Sequence, residues 1–287
     1  MVSPASLSSV KSMMQRFAMH PKKKWGQNFL VDQNILSKIA AACELDENSL
    51  AVEIGPGLGA LTERLAASGA RVLAIDIDRQ LKPVLEETMA DYDRVRLLFG
   101  DILEFDLEQE LARAFNLENI SPYKVCANIP YNITTPIIFQ LLEQCPHLES
   151  AILMMQKEVA QRLAAAPGSK DYGLLTLNVA YHSRVEMITR VSRNCFYPRP
   201  EVDSSVVKIT PYPYHTKRVT VKDEQTLKKF MKAAFQQRRK TILNSCTGFF
   251  KTEKPSAAAI LKSLDLNPDT RPEQLSLEDF ARITEMF

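Results

Sequence analysis

The order of apolar and polar residues over the first 210 positions predicts strands that alternate with helices. Segments with helical spacing of apolar residues separate short apolar runs of the length of a strand. Strands that alternate with helices in this way predict βαβ units and a mostly parallel sheet. The runs that predict strands are Leu50–Ile54, Arg71–Ile75, Val95–Phe99, Lys124–Ala127, Ala151–Met155, Leu174–Val185 and Ser205–Thr210.

The pattern changes after the run Pro211-Tyr212-Pro213, because two prolines so close together break regular structure. Beyond them Leu227, Phe230 and Met231 begin an apolar stripe at helical spacing, and no further strand pattern follows. We therefore predict three parts: a flexible basic arm over residues 1–25, an α/β domain over residues 26–212, and a small all-helical domain over residues 213–287.

Composition limits the class of protein. Apolar residues make up 45% of the 287 residues and charged residues 24%, which is typical of globular proteins. No apolar run approaches the roughly 18 residues of a membrane span, so we expect a soluble protein with no membrane partner. The five cysteines are scattered and form no Cys-x-x-Cys pair. This spacing predicts no metal site and no disulfide framework, and it favours a reducing, cytoplasmic location.

The net charge of +2 conceals an uneven distribution. Residues 1–31 carry +5 with no acidic residue, residues 32–120 carry −10, and residues 121–287 carry +7. Cationic segments at both ends of the chain predict a polyanionic partner that touches part of the surface. Simple solvation of the charges explains the distribution equally well. The acid-free N-terminus weakly resembles a transit peptide, although a flexible tail is the simpler interpretation.

A glycine-rich loop follows the first predicted strand of the sheet. Gly55, Gly57 and Gly59 allow a tight turn and a close approach of the backbone to a ligand. Asp76 ends the next strand, 21 residues after Gly55, where a carboxylate can bind ribose hydroxyls. Glu53 completes an acid-x-Gly-x-Gly-x-Gly pattern that is typical of S-adenosylmethionine (SAM) methyltransferases. Asp101 ends the third strand and is a candidate acceptor for the adenine amine, or simply an exposed aspartate.

The segment Asn128-Ile129-Pro130-Tyr131 ends the fourth strand and is the most specific feature of the sequence. These residue types also form ordinary turns. At a strand end beside the glycine loop they instead resemble the (N/D)-P-P-Y motif of enzymes that methylate exocyclic amines. The Asn128 carbonyl and a nearby main-chain carbonyl can accept both amine hydrogens and favour a nucleophilic nitrogen. Tyr131 would stack on the flipped base.

Taken together, the motifs resemble those of the small-subunit ribosomal RNA adenine dimethyltransferase family. The resemblance runs from about residue 20 to the C-terminus. The motifs that carry it are Gly26–Leu30, Glu53–Gly59, Gly100-Asp101, Asn128–Asn132, Gln156–Glu158, Phe196–Ser204 and Phe235–Lys240. Two positions depart from the pattern, because Asp76 and Ile129 stand where many relatives have Glu and Leu.

The resemblance implies roles for individual residues. Phe196 is expected to sandwich the target base opposite Tyr131, although a core phenylalanine is the simpler alternative. We expect a catalytic group of Asn128, Pro130, Tyr131 and Phe196, and a SAM site formed by Asn28, Leu30, Gly55, Gly57, Asp76, Asp101 and Asn128.

The resemblance also implies a substrate and partners. The family dimethylates two adjacent adenosines in the 3′-terminal hairpin of 16S ribosomal RNA within an immature 30S subunit. We expect a cytoplasmic monomer that uses SAM and no metal. Two alternatives remain: a large-subunit ribosomal RNA dimethylase of the antibiotic-resistance type, and a non-catalytic assembly or organellar transcription factor on the same fold.

Two basic runs are candidate RNA contacts. One lies in the N-terminal arm, and the other follows the apolar stripe near Phe235. Phosphate contacts of this kind should make RNA affinity fall steeply with salt. The predicted RNA-binding residues are Lys22, Lys23, Lys24, Arg238, Arg239 and Lys240.

Overall fold

A computed structural model of the chain describes residues 4–130, 133–213, 216–236 and 240–287. The chain divides into two compact units. Unit 1 contains residues 1–160 and 186–211, and unit 2 contains residues 161–185 and 212–287. The segment 161–185, which the sequence pattern assigned to the α/β domain, is therefore part of the helical unit, while the break at Pro211 lies one residue from the expected boundary.

Unit 1 is built on a seven-stranded sheet with the strand order β4-β3-β2-β5-β6-β9-β7. The neighbours from β4 to β6 are parallel, and β9 pairs with β6 antiparallel. Two very short strands, β1 and β8, form a separate antiparallel pair. The strands are β1 (Phe29–Leu30), β2 (Leu50–Ile54), β3 (Arg71–Asp76), β4 (Val95–Phe99), β5 (Tyr123–Asn128), β6 (Leu148–Gln156), β7 (Ser183–Val191), β8 (Phe196–Tyr197) and β9 (Ser204–Pro211).

Helices connect the parallel strands, as the alternating pattern predicts. Strand β2 is buried at every position because both of its neighbours and the connecting helices cover it. The helices up to residue 163 are α1 (Leu7–Arg16), α2 (Gln33–Cys43), α3 (Ala60–Ala66), α4 (Lys82–Thr88), α5 (Leu107–Phe115), α6 (Thr134–Gln144) and α7 (Lys157–Leu163). The predicted α/β class with a mostly parallel sheet is confirmed, and the strand order is Rossmann-like.

The N-terminal arm differs from the prediction, because much of it is an ordered helix. Ser6 caps α1 by accepting a hydrogen bond from Ser9 N, which satisfies one of the free N–H groups of the first turn. Val10 and Met14 lie one turn apart and are buried in a cluster that includes Leu81 and Leu85. The prediction of a flexible arm considered only the cations and overlooked this apolar face.

The regular structure of unit 2, over the residues that are described, is helical apart from the start of β7. Its core contains Leu177 of α8 together with Phe230, Phe280 and other apolar residues of the C-terminal helices. The helices are α8 (Leu174–His182), α9 (Glu224–Gln236), α10 (Ile242–Phe250), α11 (Lys254–Ser263) and α12 (Leu277–Met286). The predicted strand at 174–185 is wrong for residues 174–182, because a short apolar run has no periodicity that separates a strand from a buried helix.

Candidate active site

One cleft in unit 1 lies at the carboxyl ends of β2, β3 and β5. It forms there because β3 and β5 flank β2 on opposite sides, so the connections after β2 and β5 diverge and leave a crevice. Residues 25–30 of the N-terminal segment form another wall. The predicted site residues that line this cleft are Asn28, Leu30, Gly55, Gly57, Asp76, Asp101, Asn128, Pro130 and Phe196. Tyr131 lies outside the described residues.

The glycine loop brings bare backbone to the floor of the cleft. Gly55 and Gly57 have φ angles of +75° and +58°, a region that is costly for residues with a Cβ atom. A Cβ atom on Gly57 would lie 3.1 Å from the Phe29 ring. The loop therefore needs glycine at Gly57 for two reasons, the backbone conformation and the contact with the N-terminal segment.

Asp76 lies at the end of β3 with its carboxylate beside the glycine loop. Its Oδ1 accepts a hydrogen bond from Asp78 N at 2.8 Å, and its Oδ2 accepts a long one from Gly57 N at 3.4 Å. The side chain is buried, and burial raises the pKa of Asp76 to about 6. A carboxylate held this way retains lone pairs that can accept hydrogen bonds from ribose hydroxyls.

Glu53 is a second buried acid on the wall of the cleft. Only 1% of the residue is exposed, and its Oε2 has no hydrogen-bond partner among the described residues. Burial and, to a lesser extent, the nearby Asp76 raise the pKa of Glu53 to about 8. A buried unpaired oxygen of this kind fits a ligand that brings its own amine or hydroxyl donor. No cluster of potential metal ligands is found in the part of the chain that the structure describes.

Asp101 follows β4 and begins a short 3₁₀ turn, in which its Oδ1 accepts a hydrogen bond from Leu103 N at 3.0 Å. A Cβ atom on the preceding Gly100 would lie only 2.3 Å from the Phe105 ring, so any other residue here would have to displace that ring. Because one carboxylate oxygen caps the turn, the other remains available at the edge of the cleft.

The Asn128 side chain is oriented by the N-terminal segment. Its Nδ2 donates a hydrogen bond to the Asn28 carbonyl at 3.2 Å, which leaves Oδ1 as an acceptor for a ligand. The Pro130 carbonyl already accepts hydrogen bonds from Ile133 N and from the Thr134 hydroxyl. The Ile129 carbonyl is therefore the better second acceptor for an amine.

Phe196 belongs to the short strand β8, and it pairs with Leu30 of β1. It is 5% exposed and lines the cleft that also contains Asn128. The ring thus packs in the core and still borders the ligand space, so the two interpretations of this residue are compatible.

Two residues near the site, Asp78 and Trp25, were not singled out by the sequence analysis. Asp78 accepts hydrogen bonds from Lys22 Nζ at 2.7 Å and Gln27 Nε2 at 2.9 Å. Trp25, the single tryptophan, lines the cleft next to Gly26. Because Asp78 lies more than 50 residues from its partners along the chain, no local pattern could have indicated the contact.

The structure gives the predicted RNA-binding residues different environments. Lys22 forms an ion pair with the buried Asp78 and is partly exposed, so its predicted contact with RNA stays a prediction. Lys24 is exposed, with its ammonium group 4.6 Å from the centre of the Trp25 ring. Lys240 is exposed, Arg238 and Arg239 lie outside the described residues, and the side chain of Lys23 is not described.

Comparisons with known proteins identify the family. The sequence model of the ribosomal RNA adenine dimethylase family matches residues 18–287. The chain is 43% identical to ribosomal RNA small subunit methyltransferase A of Staphylococcus haemolyticus, over 98% of this chain and 95% of the relative. It is 44% identical to the protein of the same name from Moorella thermoacetica, over 99% and 98%.

Solved structures show the same fold. A dimethyladenosine transferase from Plasmodium falciparum superposes with a TM-score of 0.73 at 27% identity, over 89% of this chain and 95% of that chain. The 23S rRNA methyltransferase ErmE superposes with a TM-score of 0.69 at 24% identity, over 90% and 99%. No helix among the described residues has the length and hydropathy needed to span a membrane.

Proposed function

The chain belongs to the ribosomal RNA adenine dimethylase family, and from this premise we propose its substrate and mechanism. The substrate is the pair of adjacent adenosines in the 3′-terminal hairpin of 16S ribosomal RNA, and each exocyclic amine receives two methyl groups from SAM. The convergence of Asn128, Phe196 and the acids Asp76 and Asp101 in one cleft supports the chemistry. The choice of small-subunit RNA is supported by the 43% and 44% identity to two proteins named ribosomal RNA small subunit methyltransferase A.

SAM supplies an electrophilic methyl group on its sulfonium. The donors and acceptors of the cleft fit its parts: Asp76 would accept hydrogen bonds from the ribose hydroxyls, and Asp101 would accept one from the adenine amine. Glu53 offers a buried oxygen without a partner to a cationic or hydroxyl group of the cofactor. The backbone of Gly55 and Gly57 lets the methionine part lie against the loop without a side chain in the way.

Asn128 and the Ile129 carbonyl activate the target amine. An adenine amine is a poor nucleophile because its lone pair is delocalised into the ring. Two acceptors that bind both hydrogens favour the pyramidal nitrogen of the transition state over the planar ground state. Since Asn28 fixes the Asn128 amide before the substrate arrives, little reorganisation is needed at the moment of transfer. The alkylated amine is acidic, so water can remove its proton.

Phe196 holds the flipped base beside the methyl group. An aromatic ring that lines the cleft can stack on any adenine face, and stacking contributes about 1–3 kcal/mol per base. We assign Tyr131 to the opposite face of the base on the strength of its motif. Alignment of amine and methyl group then supplies much of the rate enhancement.

The RNA backbone is bound by the exposed cations. Lys24 and Lys240 are exposed, and with Lys23, Arg238 and Arg239 they form the basic segments that we assign to phosphate contacts. We further propose that the protein acts as a cytoplasmic monomer without a metal, and that its RNA is presented in an immature 30S subunit.

A methylation assay with radiolabelled SAM tests the substrate. Immature 30S particles should accept up to four methyl groups each, whereas protein-free 23S RNA should accept none. Labelling restricted to 23S RNA would instead identify a large-subunit dimethylase, and labelling of neither would favour a binding protein.

The Asn128→Ala variant tests the mechanism. Loss of one preorganised acceptor should lower kcat by about 10²–10³-fold, while 30S binding is retained. Asn194→Ala is the matched control, because Asn194 is an exposed asparagine in the turn that precedes Phe196. Unchanged labelling by the Asn128 variant would refute the assigned role.

A further inference from the structure

We infer that Lys22 and Asp78 are positioning residues that set the charge and orientation of Asp76, the ribose acceptor, with Gln27 bridging them. We call these three residues the latch. This inference rests on the proposed function, because it assumes that SAM occupies the cleft. It assigns a role in cofactor binding to a lysine whose sequence context indicated only RNA.

The latch is a closed ring of short contacts. Lys22 Nζ lies 2.7 Å from Asp78 Oδ1, Gln27 Nε2 donates to Asp78 Oδ2 at 2.9 Å, and Lys22 N donates to Gln27 Oε1 at 2.8 Å. The Asp78 side chain is only 6% exposed and that of Lys22 is 26% exposed. This ion pair is therefore partly shielded from water and is stronger than a typical surface pair.

The latch contacts the cofactor site through backbone. Asp78 N donates to Asp76 Oδ1 at 2.8 Å, so the position of Asp78 fixes one oxygen of the ribose acceptor. On the other side, Gln27 is followed by Asn28, whose carbonyl holds the Asn128 amide. Residues 22–28 thus connect the cofactor-binding acid and the catalytic amide through one short piece of chain.

Charge is the second link between the latch and Asp76. Two acids face Asp76. The charge of Asp78 raises the pKa of Asp76, and ionised Asp76 in turn raises the pKa of Glu53, which stays protonated while Asp76 titrates. Burial raises the pKa of Asp78, but hydrogen bonds from Lys22 and Gln27 outweigh burial and lower it overall. Asp78 is consequently ionised beside Asp76, and the Lys22 ammonium offsets its field.

Two substitutions at the latch should shift the ionisation of Asp76 in opposite directions. Lys22→Met leaves the Asp78 charge uncompensated, so Asp76 should ionise at higher pH. Asp78→Asn removes the negative charge and leaves Lys22, so Asp76 should ionise at lower pH. A merely structural contact predicts weaker binding in both variants with no change in the pH profile.

The experiment measures SAM affinity of the full chain by titration calorimetry between pH 5 and pH 8. In Lys22→Met the ionisation midpoint of Asp76 should rise by roughly 0.7 pH unit, which is reasonable for a partly screened neighbouring charge. The variant should then bind SAM about threefold more weakly than the wild type at pH 6 and less than twofold more weakly at pH 8. The midpoint for Asp78→Asn should move below that of the wild type. Lys22→Arg should restore the wild-type midpoint.

Lys82→Met is the matched control, because it removes an exposed lysine that pairs with Glu86 on α4 near the latch. Its pH profile should match the wild type. Midpoints that stay fixed, or that move in the same direction in both latch variants, would overturn the inference. Absence of SAM binding by the wild-type protein would instead refute the proposed function.

Discussion

Acidification should weaken SAM binding by an amount that follows from the pKa of Asp76. The ribose hydroxyls need an ionised Asp76, and burial raises the pKa of that carboxyl to about 6. Asp76 is then ionised in about half of the molecules at pH 6 and in roughly one in ten at pH 5. The Kd should therefore be about twofold higher at pH 6 than at pH 8, and about tenfold higher at pH 5, if Asp76 alone titrates.

Glu53 adds a second, separable step. Its pKa of about 8 means that it is largely protonated at neutral pH in the free protein. A cationic group of the cofactor beside Glu53 would favour the ionised form, so binding should release protons between pH 7 and pH 9. Glu53→Gln should remove this step and leave the step near pH 6 intact.

Calorimetric titrations in buffers of different ionisation enthalpy measure both the Kd and the protons released. The Asp76→Asn variant should bind weakly with no step near pH 6. A wild-type Kd that does not change between pH 5 and pH 7 would show that Asp76 is already ionised at pH 5, or that its charge plays no part in cofactor binding.

Three further outcomes are expected. In the cofactor-free protein Asp76→Asn should raise the free energy of unfolding at pH 7 by about 1–2 kcal/mol, because removing a carboxylate whose pKa is raised by roughly two units stabilises the fold by more than one lost hydrogen bond costs. Urea titration measures this change. The stability of the wild-type protein should also fall as the pH rises from 4 to 6, as the buried carboxyl loses its proton. Gly57→Ala should weaken SAM binding at least tenfold through positive φ and contact with Phe29, whereas Gly168→Ala, which has a φ of +83° but no neighbour within 4 Å, should not. Trp25 emission should change when SAM is added, and emission that stays constant would place the indole away from the bound cofactor.

The sequence alone determined the parts of the fold and site that depend on local chemistry. The order of strands and helices followed from periodicity, and the residues after each strand could be assigned to one edge because parallel strands end on the same side of a sheet. We could therefore identify as neighbours the Gly55–Gly59 loop, Asp76, Asp101 and Asn128, although Asn128 comes 73 positions after Gly55.

Tertiary structure decided what local pattern could not. The apolar run at 174–182 is compatible with either a strand or a buried helix. It is a helix because apolar residues of the C-terminal helices surround it. The acid-free N-terminus became a packed helix because its apolar face found Leu81 and Leu85. Lys22 pairs with Asp78, since a buried carboxylate requires a partner and the fold brings this lysine within 2.7 Å. Such choices depend on which distant groups meet, and only the folded chain determines that.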